Sequence, residues 1–166
     1  MVNESATACA GTLRLTLYRD GRHVAENAER IVELGPRSGT TLNAVSLLAG
    51  FQDLGHAYRF GPLGSDLIVA SFRPHTGREM TAFFLPRTDL HLQPRGDCTL
   101  QARAEPLPGT ADYRLVVSCS GFARGVHIDV PGYSPSDQYF NLEARASVEL
   151  RLFSVAENPR VPSGCA

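Results

Sequence analysis

Apolar and polar residues alternate with a period of two along most of the chain, which is the pattern of half-buried β-strands. The clearest run spans 13–18 and ends at Arg19-Asp20-Gly21-Arg22, where Asp-Gly is a strong signal for a hairpin turn. One stretch, 42–51, is a candidate helix, although its apolar residues do not distinguish between the two periods. Further strands are predicted at 30–34, 40–47, 66–72, 79–85, 98–104, 113–119, 126–130 and 148–153.

The spacing of these strands predicts an all-β protein with the architecture of an immunoglobulin-like β-sandwich. A cluster of glycine and proline at 60–64 predicts a domain boundary, because such residues mark loops between compact units. We therefore expect a partial β-sandwich domain at 1–62, a complete immunoglobulin-like domain at 63–157 and a flexible tail at 158–166. Because the first unit has too few strands for a sandwich, it is expected to continue a domain from upstream or to pack on the second domain.

Composition indicates a globular protein and narrows the range of its partners. Hydrophobic residues make up 43% and charged residues 20% of the chain, which allows a sizeable core. The formal net charge is −1 and all 16 basic residues are arginine, so neither a basic face nor lysine-dependent chemistry is expected. We expect no nucleic-acid partner and no membrane partner. The N-terminus lacks the character of a signal peptide, and this predicts either a cytoplasmic location or a chain that is a piece of a longer one.

Cysteine and histidine do not follow the spacings of metal sites. The four cysteines contain no Cys-x-x-Cys pair and no two histidines have a ligand spacing, so no metal and no cofactor are expected. Cys98 and Cys119 fall on the predicted buried faces of their strands. A disulfide between sheets is one alternative there, and two buried free thiols are the favoured one. His127 alternates with two apolar neighbours and is expected to face solvent.

Three segments of the second half carry a resemblance to a known family. They read Gly-Phe-Ala-Arg-Gly-Val-His-Ile at 121–128, Pro-Ser-Asp-Gln-Tyr-Phe-Asn-Leu at 135–142 and Ser-Val-Glu-Leu-Arg-Leu at 147–152. In this order they resemble the C-terminal immunoglobulin-like region of the β-mannosidases of glycoside hydrolase family 2. Motifs within 3–21 resemble the preceding sandwich domain of those enzymes, and 58–62 resembles the link between the two.

The resemblance implies a chain without a catalytic centre of its own. In the family, the acid/base and nucleophile glutamates belong to a barrel that lies before the region matched here. The implied role is a non-catalytic accessory region that supports the catalytic barrel and substrate cleft of a retaining β-mannosidase, with the upstream catalytic domains of the same polypeptide as its partners. The chain departs from the family at Gln138 and Asn141, where Asn and Asp are usual, and at 143–145, where a Pro-Gly turn is usual.

Carboxylates cluster in sequence around the loop 131–135. They are Asp129, Asp137 and Glu143, and a retaining glycosidase needs two carboxyl groups about 5 Å apart in a pocket. We expect no catalytic residue among them. Asp137 is instead expected to fix the turn, because an aspartate after a serine readily bonds nearby backbone amides.

Aromatic residues in the same region are candidates for a binding surface. Tyr133, Tyr139 and Phe140 are candidates for a patch that contacts β-mannoside oligosaccharides or a neighbouring domain, because rigid rings stack on pyranose faces. The structural alternative is that Phe140 closes the end of the sandwich while the tyrosines bond backbone carbonyls. Two other classes of function stay open: a free-standing carbohydrate-binding module that uses Tyr133 and Tyr139, and a structural immunoglobulin-like interaction domain.

Overall fold

The computed structural model describes residues 1–50, 54, 64–86, 98–155 and 161–162. The chain divides into two compact units, Met1–Gln93 and Pro94–Ala166. Antiparallel strands build both units, and within the described residues the helical structure is limited to one short 3₁₀ helix, Ala44–Leu47. The all-β fold class predicted from the alternation is confirmed.

The first unit is built around one antiparallel sheet. Its long strand β2 (Cys9–Arg19) lies between β3 (His23–Leu34) and β5 (Leu67–Pro74), and β6 (Met80–Phe84) pairs with β5. A separate two-stranded ladder joins β1 (Val2–Asn3) to β4 (Ser38–Gly39).

The predicted Asp-Gly hairpin connects β2 to β3. Asp20 and Gly21 both have positive φ, 56° and 57°, which is the conformation that a tight hairpin turn of the primed type requires. The Arg22 backbone N–H donates to the Arg19 carbonyl at 3.2 Å and closes the turn. Beyond the turn, the Asp66 carboxylate accepts a hydrogen bond from Gly21 N at 3.1 Å.

Alternation along β2 buries side chains on both faces of the sheet. Leu13, Leu15 and Leu17 belong to one face, where partly buried leucines such as Leu47 pack against them. Thr16 belongs to the opposite face and is also buried. The same is true of β5, so the two central strands are buried on both sides.

The predicted strand at 40–47 is wrong, because 44–47 forms the 3₁₀ helix. Asn43 explains the difference, since its side-chain oxygen accepts a hydrogen bond from Val45 N at 3.0 Å and caps the helix. The candidate helix at 42–51 therefore shrinks to a single turn. Asparagine side chains compete with sheet hydrogen bonding in this way wherever they can reach the next backbone amides.

The predicted boundary at 62 also needs correction. Strand β5, which that boundary assigns to the second domain, pairs with β2 from Gly11↔Pro74 to Tyr18↔Leu67 and so belongs to the first unit. Glycine and proline mark the loop before β5, but they carry no information about which strand β5 will join. Most of the predicted tail at 158–166, and 60–63 of the boundary cluster, lie outside the described residues.

The second unit contains a four-stranded and a two-stranded antiparallel sheet among its described residues. The strand order is β10-β12-β8-β7 in the larger sheet and β11-β9 in the smaller. The strands are β7 (Leu100–Pro106), β8 (Tyr113–Cys119), β9 (Ala123–Val126), β10 (Tyr133–Pro135), β11 (Phe140–Leu142) and β12 (Ser147–Ser154). The sequence analysis did not predict strands β10 and β11. The strand predicted at 126–130 ends at Val126 instead.

The core of the second unit draws on both of its sheets. Apolar residues alternate inward on β8 and β12 and meet residues of β9 and β11. The outward positions carry charge, and Glu105 forms ion pairs with Arg103 and Arg114 there. Because water screens such exposed pairs, the apolar core supplies most of the stabilisation. The buried cluster is Leu115, Val117, Cys119, Ala123, Val126, Tyr133, Leu142, Leu150 and Leu152.

Candidate functional site

The three segments that carry the resemblance pair with one another in the second unit. Strand β9 pairs with β11 through Phe140↔Val126, with a register irregularity before Leu142↔Ala123. Strand β10 pairs with β12, and Pro135 lies opposite Leu152. The connection between β10 and β11, at 136–139, therefore joins the larger sheet to the smaller one.

Polar side chains in and after this connection bond to backbone groups of strand β9 and the chain after it. The Gln138 carboxamide accepts a hydrogen bond from Ile128 N at 2.8 Å and donates one to Ile128 O at 2.7 Å. Asn141 Oδ1 accepts from Gly125 N at 2.9 Å, where Gly125 has a positive φ of 62°. Asp137 Oδ1 accepts from the backbone amide of the next residue, Gln138 N, at 2.8 Å.

A second set of polar contacts ties the start of the connection to β12. Ser136 N donates to Arg151 O at 2.8 Å, and Ser136 Oγ accepts from Arg151 N at 3.0 Å. The Arg151 guanidinium in turn donates two hydrogen bonds to Asp112 Oδ2, at 2.9 and 2.6 Å. Asp112 Oδ1 accepts from Ser154 N at 2.9 Å. This backbone amide and the Arg151 guanidinium together hold the pKa of the Asp112 carboxyl below its usual value.

The structure separates the three candidate aromatic residues. Tyr133 is only 8% exposed and belongs to the core, where its ring meets Tyr113 edge to face with centroids 5.6 Å apart. Burial raises the pKa of the Tyr133 hydroxyl. Phe140 is half-buried and packs against the same core. A surface patch containing Tyr133 is therefore not formed.

Tyr139 alone of the three is well exposed, at 70%. Its backbone has a φ of 56°, a conformation that costs a bulky residue about 1–3 kcal/mol. The ring stacks on the imidazole of His127, with centroids 5.0 Å apart and an angle of 25° between the planes. His127 is exposed, as its alternation predicts, but sequence reasoning missed the pairing because nothing local signals a left-handed tyrosine.

The described cysteines are free thiols. Cys119 Sγ donates to Glu143 O at 3.1 Å, and Cys98 Sγ donates to Gly121 O at 3.5 Å. Burial, with a smaller contribution from Cys98, raises the pKa of the Cys119 thiol. Of the two alternatives for Cys98 and Cys119, the structure has the free thiols.

Within the described ranges, no group of three or more His, Cys, Asp and Glu side chains could hold a metal ion. Asp129 is exposed and Glu143 half-buried. In the part of the chain that the structure covers, no helix has the length and apolar character needed to cross a membrane.

Comparison of the sequence with protein-family models and with curated proteins gives no match.

Proposed function

We propose that this chain is a non-catalytic accessory β-sandwich region of a β-mannosidase-like glycoside hydrolase. In this role it supports the catalytic barrel and the substrate cleft, which belong to upstream domains of the same polypeptide. The proposal originates in the resemblance of 121–128, 135–142 and 147–152 to the C-terminal region of those enzymes.

One observation supports the proposal above the others: the polar side chains of the resembling segments bond to backbone. Gln138 holds both backbone groups of Ile128, Asn141 holds Gly125, and Ser136 holds Arg151. A catalytic or transferring group needs a polar atom directed at the substrate. Side chains that are occupied by backbone groups serve instead to make the connection between the two sheets rigid, which is what a supporting region requires.

The chemistry of a retaining glycosidase explains why the proposal assigns catalysis and support to different domains. Two carboxyl groups about 5 Å apart must flank the scissile bond in a pocket that binds the sugar. In the family that this chain resembles, both groups belong to the barrel. The carboxylate nearest to the resembling turn, Asp137, accepts the Gln138 backbone amide, so its contact favours a structural role.

The native reading frame and the activity of its product test the proposal together. We expect the frame to encode a barrel before the first residue of this chain, and the full product to hydrolyse an aryl β-mannoside. Residues 1–166 alone are expected to show no hydrolysis above the buffer rate. A frame without a barrel, or measurable turnover by the purified 166-residue chain, would contradict the proposal.

A further inference from the structure

We propose that Tyr139 and His127 form a stacking platform that binds a neutral β-1,4-linked hexopyranose oligosaccharide. The accessory role needs no ligand, so this inference goes beyond the proposed function and does not depend on it. It originates in the geometry of the ring pair, with centroids 5.0 Å apart and ring planes 25° from parallel.

The exposure of Tyr139 is unusual for a residue held in a costly conformation. Its φ of 56° is one that tyrosine rarely adopts, yet 70% of the residue is exposed to solvent. An exposed ring contributes little burial energy to folding. Burial of Tyr139 therefore returns little to folding, and a strained residue whose ring stacks on another exposed ring is a candidate for a functional one.

Neighbouring residues anchor the loop that carries Tyr139. On one side Gln138 is bound to both backbone groups of Ile128, and on the other Phe140 is half-buried against the core. Asn141 fixes the next turn through Gly125 N. A ring on such a preorganised loop loses little conformational entropy when it binds a ligand.

The chemistry around the ring pair favours a sugar over other stacking ligands. The face of an aromatic ring packs on the C–H face of a pyranose, and β-1,4-linked equatorial chains present such faces repeatedly. Asp137, two residues before Tyr139, accepts the Gln138 amide through Oδ1, and its exposed carboxylate has further lone pairs that can accept hydrogen bonds from hydroxyl groups. A nucleic acid would need a basic surface, whereas this chain has a formal net charge of −1 and no lysine.

Titration of the 166-residue protein with β-1,4-mannohexaose and with cellohexaose, followed by amide and side-chain NMR shifts, tests the platform. We expect saturable shifts centred on Tyr139 and His127 with at least one of the two oligosaccharides. Tyr139→Gly is expected to abolish the shifts. His127→Ala, which removes the support behind the ring, is expected to weaken binding about tenfold, the change that corresponds to one stacking contact.

The choice of glycine separates binding from folding. Glycine adopts positive φ without strain, so Tyr139→Gly should unfold at the same temperature as the wild type or higher. The Gln138 side-chain amide shifts report whether the loop stays intact. Phe153→Ala is the matched control, because it removes a partly exposed aromatic ring elsewhere in the second unit and should leave binding unchanged.

Two results would overturn the inference. The first is the absence of saturable shifts at Tyr139 and His127 with both oligosaccharides. The second is binding that Tyr139→Gly leaves unchanged. Neither result bears on the accessory proposal, which depends on the reading frame and on hydrolysis.

Discussion

The side chain of Gln138 pairs with both backbone groups of Ile128, as a neighbouring strand would. Strand β9 ends at Val126, so at Ile128 the regular ladder with β11 has already stopped. One carboxamide supplies the acceptor and the donor that the missing strand would have provided, at 2.8 and 2.7 Å. The connection between the two sheets of the second unit therefore depends on this residue.

Replacing Gln138 by alanine is expected to lower the free energy of unfolding by about 1–3 kcal/mol, because a partly buried N–H and C=O of Ile128 lose their partners. Urea unfolding followed by circular dichroism measures the change. Gln101→Ala, at an exposed position on β7, is the control and should change little. A Gln138 variant as stable as the control would show that water replaces the side chain at no cost.

The ion pair between Asp112 and Arg151 makes stability depend on pH. The pKa of Asp112 lies below its ordinary value of 3.8, because Ser154 N and Arg151 favour the charged form. This stabilisation is complete above pH 3.8 and is lost as the pH falls through the lower pKa of the folded protein. Asp112→Asn should therefore lower the unfolding temperature at neutral pH, by a margin that shrinks in acid.

Thermal unfolding of both proteins between neutral and strongly acidic pH measures this margin. Other carboxyl groups titrate in the same pH range. The difference in unfolding temperature between the wild type and Asp112→Asn therefore isolates the contribution of Asp112. Arg151→Gln should remove part of the pH dependence, since the Ser154 amide still favours the charged carboxylate. A difference in unfolding temperature between the wild type and Asp112→Asn that stays constant with pH would contradict the assignment of this pH dependence to Asp112.

The Cys119 thiol is expected to be the slowest of the described cysteines to react. The thiolate is the reactive form, and a raised pKa together with burial reduces both its amount and its accessibility. Maleimide labelling at about pH 8, mapped by peptide mass spectrometry, should modify Cys9 and Cys98 before Cys119. The order should disappear in denaturant. Faster labelling of Cys119 in the folded protein would show that the core opens readily.

Gly11 lies where β2 meets β5 too closely for a side chain. A Cβ atom there would come within 2.7 Å of Pro74 Cα and 2.8 Å of Phe72 Cζ, and it would also meet the carbonyl oxygen of Arg73. Gly11→Ala is therefore expected to lower the free energy of unfolding by about 1–3 kcal/mol, because backbone atoms must move apart. Gly50→Ala has open space around the new Cβ and should stay within about 0.5 kcal/mol. Equal stability of the two variants in urea would contradict the close packing.

Sequence patterns located the segments of the candidate site, whereas the structure was needed to assign the role of each aromatic residue in it. The segments around Asp137 could be selected from the chain because turn residues and alternation are local features. The role of each aromatic residue could not be selected, because neither the Gly-Tyr-Ser context of Tyr133 nor the Gln-Tyr-Phe context of Tyr139 determines the direction of its ring. Tyr133 lies on β10 and turns into the core, whereas the positive φ of Tyr139 turns its ring outward.

By itself, the sequence determined the strand-forming character of the chain, the Asp-Gly hairpin and the inward direction of Cys119. These follow from side-chain periodicity and turn chemistry, which act over a few residues. Only the tertiary structure decided that β5 joins β2, and that His127 meets Tyr139. Strand pairing and ring contacts join residues far apart in the chain, and they depend on hydrogen bonds and packing that no local pattern encodes.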